Sequence, residues 1–204
     1  MPVSASQPAP DRDAAVPAVR VRRLRRAERR EQILAAATRA FARAGFAATS
    51  LEDVAAEARI TRVILYRHFE SKADLYRAVL DRACARLAEA VGTGDYDDEA
   101  IPALVRAAAA DPGGFRLLFR HAAREPEFRD LADSLTAASA EVARQDLAKQ
   151  IPPGPWLDWA ARLVPALTVE AVIAWLDAGQ PDPDQAAGRI GQAVYGAIQA
   201  AQPR

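Results

Sequence analysis

Apolar positions Ile33, Leu34, Ala37 and Phe41 recur at i, i+1, i+4 and i+8, a stripe that a helix starting near Arg25 turns toward a core. Gly45 predicts the end of that helix, because glycine reaches positive φ without a Cβ penalty. A second helix opens at Ser50, with Asp53 three residues on to complete a capping box; Thr49 and Glu52 offer the same spacing one residue earlier. Leu51, Val54, Ala55 and Ala58 form its buried side. Thr61 is a good N-cap for a third helix, which turns Ile64, Leu65 and Phe69 inward or sideways. Packed on Phe41, Phe46, Leu51, Val54, Ile60, Leu65 and Phe69, the three helices make a small trihelical head. Ser71 caps a longer helix over 72–91 that carries Leu75, Val79 and Leu87.

Gly92-Thr93-Gly94 breaks that helix, and Pro/Gly signals then divide the chain into helical segments near 98–110, 113–124, 126–150, 155–178 and 183–201. No alternating strand pattern competes, so the fold class is all-α, an N-terminal three-helix head followed by a helical C-terminal part. Abundant alanine and few aromatics agree with packed helices. Residues 1–19, rich in Pro, Ala and Ser without periodicity, read as a disordered leader.

Charge adds an asymmetry that periodicity does not show. The formal net charge is zero, yet residues 1–90 carry 17 Lys/Arg against 11 Asp/Glu, and residues 91–204 carry 10 against 16. Seven arginines lie between Arg20 and Arg30. A basic front and an acidic back suit a chain whose front alone faces a polyanion. One cysteine, Cys84, excludes an intramolecular disulfide, and no Cys/His cluster has metal-ligand spacing. Gly-rich phosphate loops, GxSxG and HExxH are all missing from the sequence, and the two histidines, His68 and His121, have ordinary non-catalytic readings. The expectation is a protein without enzymatic activity, metal or cofactor. No apolar run near 18 residues is evident, and the first 19 residues lack the charged and apolar regions of a signal peptide. The sequence therefore predicts no membrane span and a cytoplasmic location.

Two helices joined by a tight turn at 50–69 have the layout of a helix-turn-helix, whose second helix enters the major groove. Thr61, Arg62, Val63 and Ile64 would then lie near base edges, with Arg67 and His68 on the next turn. Arg62 suits guanine O6 and N7, and the methyls of Val63 and Ile64 suit a thymine methyl. Tyr66, His68 and Lys72 suit phosphates, as do Thr49 and Ser50 at the start of the second helix. Arg25, Arg26 and Arg30, within the arginine run, suit the backbone or a minor groove. Each has a bland counterpart: Tyr66 as a core aromatic, His68 as a surface histidine, the arginine run as a solvated helix start. Their joint spacing in one trihelical unit favours DNA.

Residues 25–80 resemble the tetracycline-repressor (TetR) family of transcriptional regulators. The resemblance rests on Arg30, Ile33-Leu34-Ala35-Ala36-Ala37, Phe41, Gly45-Phe46, Thr49-Ser50-Leu51, Asp53-Val54-Ala55, Leu65-Tyr66, His68-Phe69, Ser71-Lys72 and Leu75-Tyr76. It implies an all-helical homodimer of about nine helices, with a head on a palindromic double-stranded DNA operator and a C-terminal part that holds a small-molecule effector and the dimer interface. The domains would be 20–72 for DNA binding and 73–204 for ligand binding and dimerisation. Two departures stand out. Arg59 replaces the usual glycine of the turn, and Val63-Ile64 replaces a small residue followed by Thr.

For the rear, Leu163, Leu167, Ala171 and Trp175 lie along one side of a helix, and Ile190, Val194 and Ile198 along another beside Ala187, Gly191 and Ala197. Two readings fit: a four-helix dimer interface, or an intrachain core. Thr168 and Glu170 interrupt the apolar run and suit bonds across an interface, and Pro165 predicts a kink. Candidate effector-lining groups are Phe115, Leu118, Phe119, Phe128, Trp156 and Trp159, with Arg116, Arg120 and His121 as polar contributors toward a carboxylate; core aromatics and surface arginines fit them equally. The reading as a whole is a ligand-released repressor. Its counterpart is a dimeric small-molecule or partner-binding module without sequence-specific DNA reading.

Overall fold

The structure, a computed structural model, describes residues 26–92 and 97–203. The expected leader, Arg25 and the arginines before it lie outside the described residues. Among the described residues nine α-helices follow one another: α1 Arg26–Ala48, α2 Leu51–Glu57, α3 Arg62–Tyr66, α4 Lys72–Val91, α5 Ala100–Ala110, α6 Pro112–Arg116, α7 Arg129–Leu147, α8 Pro155–Asp177 and α9 Pro183–Ala201. No strand occurs among the described residues.

The local signals act largely as the sequence predicts. Ser50 Oγ accepts from the Asp53 amide at 3.1 Å while the Asp53 carboxylate accepts from the Ser50 amide at 2.8 Å, a complete capping box. Ser71 Oγ accepts from the Asp74 amide at 3.0 Å and starts α4. Thr61 takes the N-cap position of α3 but makes no capping bond with its side chain. At Gly45 φ is 77° and ψ 173°, which breaks α1, and the chain then makes one more turn to Ala48.

Between α6 and α7 the structure departs from the two helices expected there. A π-helical turn, Leu117–His121, follows α6; 3-10 turns at Ala122–Arg124 and Pro126–Phe128 complete the passage to α7. Pro126 lacks an amide hydrogen and forces its predecessor out of the helical region: Glu125 has φ −98° and ψ 115°.

Two apolar clusters hold the molecule. The first joins α1, α2 and α3 to α4 through Ile33, Phe41, Val54, Leu65, Phe69 and Tyr76, and extends to Leu117, Leu118 and Phe128. The second lies among α5, α7, α8 and α9, around Leu147, Leu157, Val172, Ile173, Ile190 and Val194. Leu87 and Phe119 pack against both.

Helix α8 is long and apolar enough to cross a membrane by length and composition, which corrects the expectation that no such segment exists. Its composition has a simpler cause: one face, including Leu157, Ala160, Val164, Val172 and Ile173, is buried in the second cluster. Glu170, Arg162 and Asp158 also interrupt it. Pro165 lies inside α8 without ending it.

Candidate nucleic-acid interface and effector cavity

The turn between α2 and α3 sets the angle at which α3 leaves α2. The Ile60 amide donates to the Ala55 carbonyl at 2.9 Å and the Arg59 amide to Ala56 at 3.0 Å, the paired bonds of a Schellman ending. Arg59 supplies the left-handed residue, at φ 52°. Gln32 on α1 closes the turn by donating to the Ala58 carbonyl at 2.8 Å. Arg39 and Arg43 clamp α1 to α2 through Glu57, at 2.8 and 3.0 Å, and hold its carboxyl below the usual carboxylate range.

On α3 the outward edge is Arg62, Val63 and Tyr66, with Thr61 and Arg67 flanking it, all exposed; Leu65 faces the core and Ile64 lies between. Val63 leaves 63% of its surface in water, unusual for a branched apolar side chain on a short helix. Arg62 donates to the Tyr66 hydroxyl at 3.0 Å and pairs with Glu52 of α2, which together hold its guanidinium at the helix surface. Arg30 stacks 4.8 Å over the Phe69 ring, next to His68. Burial, then Arg26, Arg30 and Arg29, push the His68 imidazole below its ordinary range.

Two residues expected at phosphates are used otherwise. Thr49 is buried, and its hydroxyl donates to the Gly45 carbonyl at 2.7 Å and to Ala40 at 3.3 Å, sealing the break in α1. The Lys72 ammonium donates to the carbonyls of Phe46 at 2.9 Å and Ala47 at 3.3 Å and lies 4.5 Å over the Phe46 ring. The carbonyls that the Gly45 break leaves open draw both side chains inward. Ser50 has its hydroxyl and amide in the capping box.

Behind the head, Phe41, Phe46, Tyr76 and Phe128 form an aromatic cluster with ring centroids 4.6–6.2 Å apart. The Tyr76 hydroxyl is buried there without a hydrogen-bond partner among the described residues, and burial, then Glu125, push it up to about 12.

In the second cluster a cavity of about 740 Å³ opens between α4, α5, α7, α8 and α9. That volume falls in the range of drug-sized ligand sites. Leu87, Ile101, Leu104, Leu147, Val164 and Val194 supply much of its wall. Of the nine side chains expected at an effector, only Phe119 lines it. Phe115 is buried beside Phe119, centroids 4.7 Å apart. Arg116 and Arg120 reach Asp177 at the end of α8, at 3.0 and 2.6 Å, and hold its carboxyl low. His121 is half-buried beside Arg124 and Arg120, its imidazole lowered first by burial. Trp156 and Trp159 are 62% and 40% exposed, edge to face at 5.6 Å on the outside of α8. Phe128 and Leu118 belong to the head-side cluster.

Part of the expected interface stripe faces inward within the chain. Trp175, Ile190 and Val194 are buried within the chain, and Ala187, Gly191, Val194 and Ile198 line the cavity. Leu163, Leu167 and Ala171 remain half-buried. The Thr168 hydroxyl donates to the Val164 carbonyl of its own helix at 2.7 Å. What α8 leaves outward is Trp156, Trp159, Arg162, Ala166, Glu170 and Ala174. Spacing alone does not tell an apolar stripe that packs on a neighbouring helix from one that packs on a second subunit. The cavity left its own trace in the sequence: Ala88, Ala138, Ala143, Gly188 and Gly191, small residues at facing positions.

A capped trihelical head with an exposed, arginine-bearing second helix, carried on a helical body with an internal cavity, defines a helix-turn-helix DNA-binding regulator. Residues 33–79 match the family of bacterial regulatory proteins named for tetR. The HTH-type transcriptional activator FasR of Mycolicibacterium smegmatis is 30% identical over 190 residues, 86% of this chain and 85% of that protein. The HTH-type transcriptional repressor SCO4008 of Streptomyces coelicolor is 36% identical over 89 residues, 43% of this chain and 46% of its own. The crystal structure of a TetR-like regulator from Rhodococcus sp. RHA1 superposes with a TM-score of 0.75 at 23% identity, covering 87% of this chain and 99% of that one. The chain belongs to the TetR family and is a DNA-binding transcriptional regulator, not an enzyme.

Proposed function

We propose that this protein is a homodimeric, ligand-responsive repressor of the cytoplasm, released from a palindromic double-stranded operator when a small molecule fills the cavity. The observation that carries it is the exposed Arg62-Val63-Tyr66 edge on a head whose other large apolar side chains, among the described residues, are buried or half-buried. Residues 20–72 act as the DNA-binding domain and 73–204 as the effector and dimer domain. Arg62, Val63 and Ile64 read bases; Thr61, Tyr66, Arg67 and His68 approach the backbone, with Arg26 and Arg30 beside them. The two heads occupy successive major grooves about 34–36 Å apart.

The dimer uses the outer side of α8, where Trp159, Leu163 and Ala166 border a surface groove, together with the exposed side of α9. Helix α4 carries the signal, because it lines the cavity with Cys84, Leu87, Ala88 and Val91 and starts at Lys72 against the end of α1. A ligand that binds better to a splayed arrangement of the heads weakens operator binding by that difference in affinity.

A second reading, activation, has its own support: FasR, the relative matched along 86% of this chain, is an activator. Run-off transcription from a template with the bound site across its promoter separates the two. Repression predicts that the transcript falls as protein is added. A transcript that rises overturns the repressor and makes the protein an activator.

A further inference from the structure

The cavity has a sign. Its described lining includes three carboxylates, Asp97, Asp98 and Asp146, and no Lys, Arg or His. The arginines nearest in sequence to Phe119, Arg116 and Arg120, are bound to Asp177. The neutral polar groups do not change this. The Thr168 hydroxyl is given to Val164, and the Cys84 thiol is kept protonated by burial and by Asp81.

One end of the cavity lies where the ends of two helices meet. Asp146, Leu147 and Gln150 line it at the C-terminal end of α7, and Val194, Tyr195 and Ile198 line it along the last turns of α9. Gln202, just past α9, donates to the Gln150 side chain at 3.1 Å and keeps these two helix ends together. Asp146 is the carboxylate there; its Oδ1 accepts from Lys149 at 2.9 Å, a lysine outside the lining whose side chain is 62% exposed. Tyr195 adds an exposed ring, a surface that attracts cations. At the other end, Asp97 is turned to the Glu99 amide at 3.0 Å, ahead of α5.

We infer that the cavity takes a lipophilic cation, an ammonium-bearing molecule whose apolar body lies among Leu87, Ile101, Leu104 and Val164 and whose charge rests by Asp146 and Tyr195. An anion of the same size enters a low-dielectric space whose described lining offers no cation, and loses its hydration largely uncompensated. This inference rests on the cavity being the effector site of the proposed function and adds the chemical class that fills it.

The test uses the full-length protein and three probes of equal chain length, decyltrimethylammonium, decanol and decanoate, titrated calorimetrically below micelle-forming concentrations. Decyltrimethylammonium is expected to bind about tenfold or more tightly than decanoate, with decanol between them. Asp146→Asn, a change at a partly exposed side chain, is expected to shrink that ratio toward one and leave decanol unchanged. Gly191→Leu is expected to abolish binding of all three. An added Cβ there meets only Ile101, at 4.0 Å, so the larger side chain fills the cavity and leaves the helices in place.

Decanoate binding as tightly as the ammonium, or a ratio that Asp146→Asn leaves unmoved, overturns the charge assignment and leaves the cavity as an effector site. Ammonium binding that survives Gly191→Leu, in a variant whose melting curve is intact, overturns the cavity itself. Failure of all three probes to bind overturns the lipophilic cation, while sequence-specific DNA binding, measured separately, still stands or falls on its own.

Discussion

Arg59 and Gly179 occupy the same position of the same motif. Each is the first residue past a helix end, at φ 52° and 83° respectively. Behind each, the next amide reaches back five residues: Ile60 to Ala55 at 2.9 Å, and Gln180 to Trp175 at 3.0 Å. At the end of α8 the chain uses glycine; at the turn of the DNA-reading head it uses arginine, whose Cβ crowds the backbone in that region.

Arg59→Gly should therefore stabilise the head by about 1 kcal/mol, which for a chain of this size raises Tm by about 2–4 °C. Differential scanning calorimetry checks it. An unchanged or lower Tm means that the arginine side chain contributes more than its backbone costs.

Tyr76 has a hydroxyl with no partner in a cluster of three phenylalanines. Tyr76→Phe keeps the ring and removes the orphan group, so urea unfolding should show stability unchanged or raised by up to about 2 kcal/mol. Tyr76→Ala, which also removes the ring, should cost about 3–5 kcal/mol. A clear loss on Tyr76→Phe would show that the hydroxyl is bonded in solution.

Both imidazoles, His68 and His121, lie below their ordinary range, chiefly through burial and then through neighbouring arginines. The folded state thus favours the neutral form. As pH falls below the ordinary value of about 6.5, the unfolded chain takes up these protons first. Stability from this source is present above that pH and declines on further acidification. Operator binding shifts the other way at His68, because a nearby phosphate favours the imidazolium. Affinity for DNA should therefore rise between pH 8 and 6 in the native chain and rise less in His68→Gln. Anisotropy titrations at fixed salt measure the difference; identical slopes in the two proteins would remove His68 from the interface.

Arg62 and Arg30 should fail differently. Arg62→Ala is predicted to cost about 1–3 kcal/mol on the native site and to relax discrimination at one base position. Arg30→Ala should weaken all sequences alike and lower the salt slope by about one. Glu52→Gln, which frees Arg62 from its partner on α2, should tighten binding. Equal, sequence-independent losses in both arginine variants would mean that Arg62 touches only phosphate.

The head was legible because its signals are local. Capping pairs such as Ser50/Asp53 act over three residues, and the core of α1 follows from one stripe. Thr49 and Lys72 were not, because what claims them is a set of carbonyls opened by the break at Gly45, up to 26 residues away in sequence. In the rear, the stripe Ile190-Val194-Ile198 was visible but its partner was not; the structure turns it to the cavity and the core. Aromatic and arginine residues drew attention to 115–121 and 156–159, whereas the cavity exists because alanines and glycines on several helices leave it empty of side chains. The π-helical turn at 117–121 had no signal in the spacing of apolar residues.

Selection of bound sequences from random duplex DNA by the full-length protein at physiological salt tests the central claim most directly. The account predicts a recovered palindrome with half-sites about one helical turn apart, as two copies of one head require. Recovery of no motif, with binding that depends on salt alone, would contradict it and reduce the Arg62-Val63-Tyr66 edge to nonspecific contact.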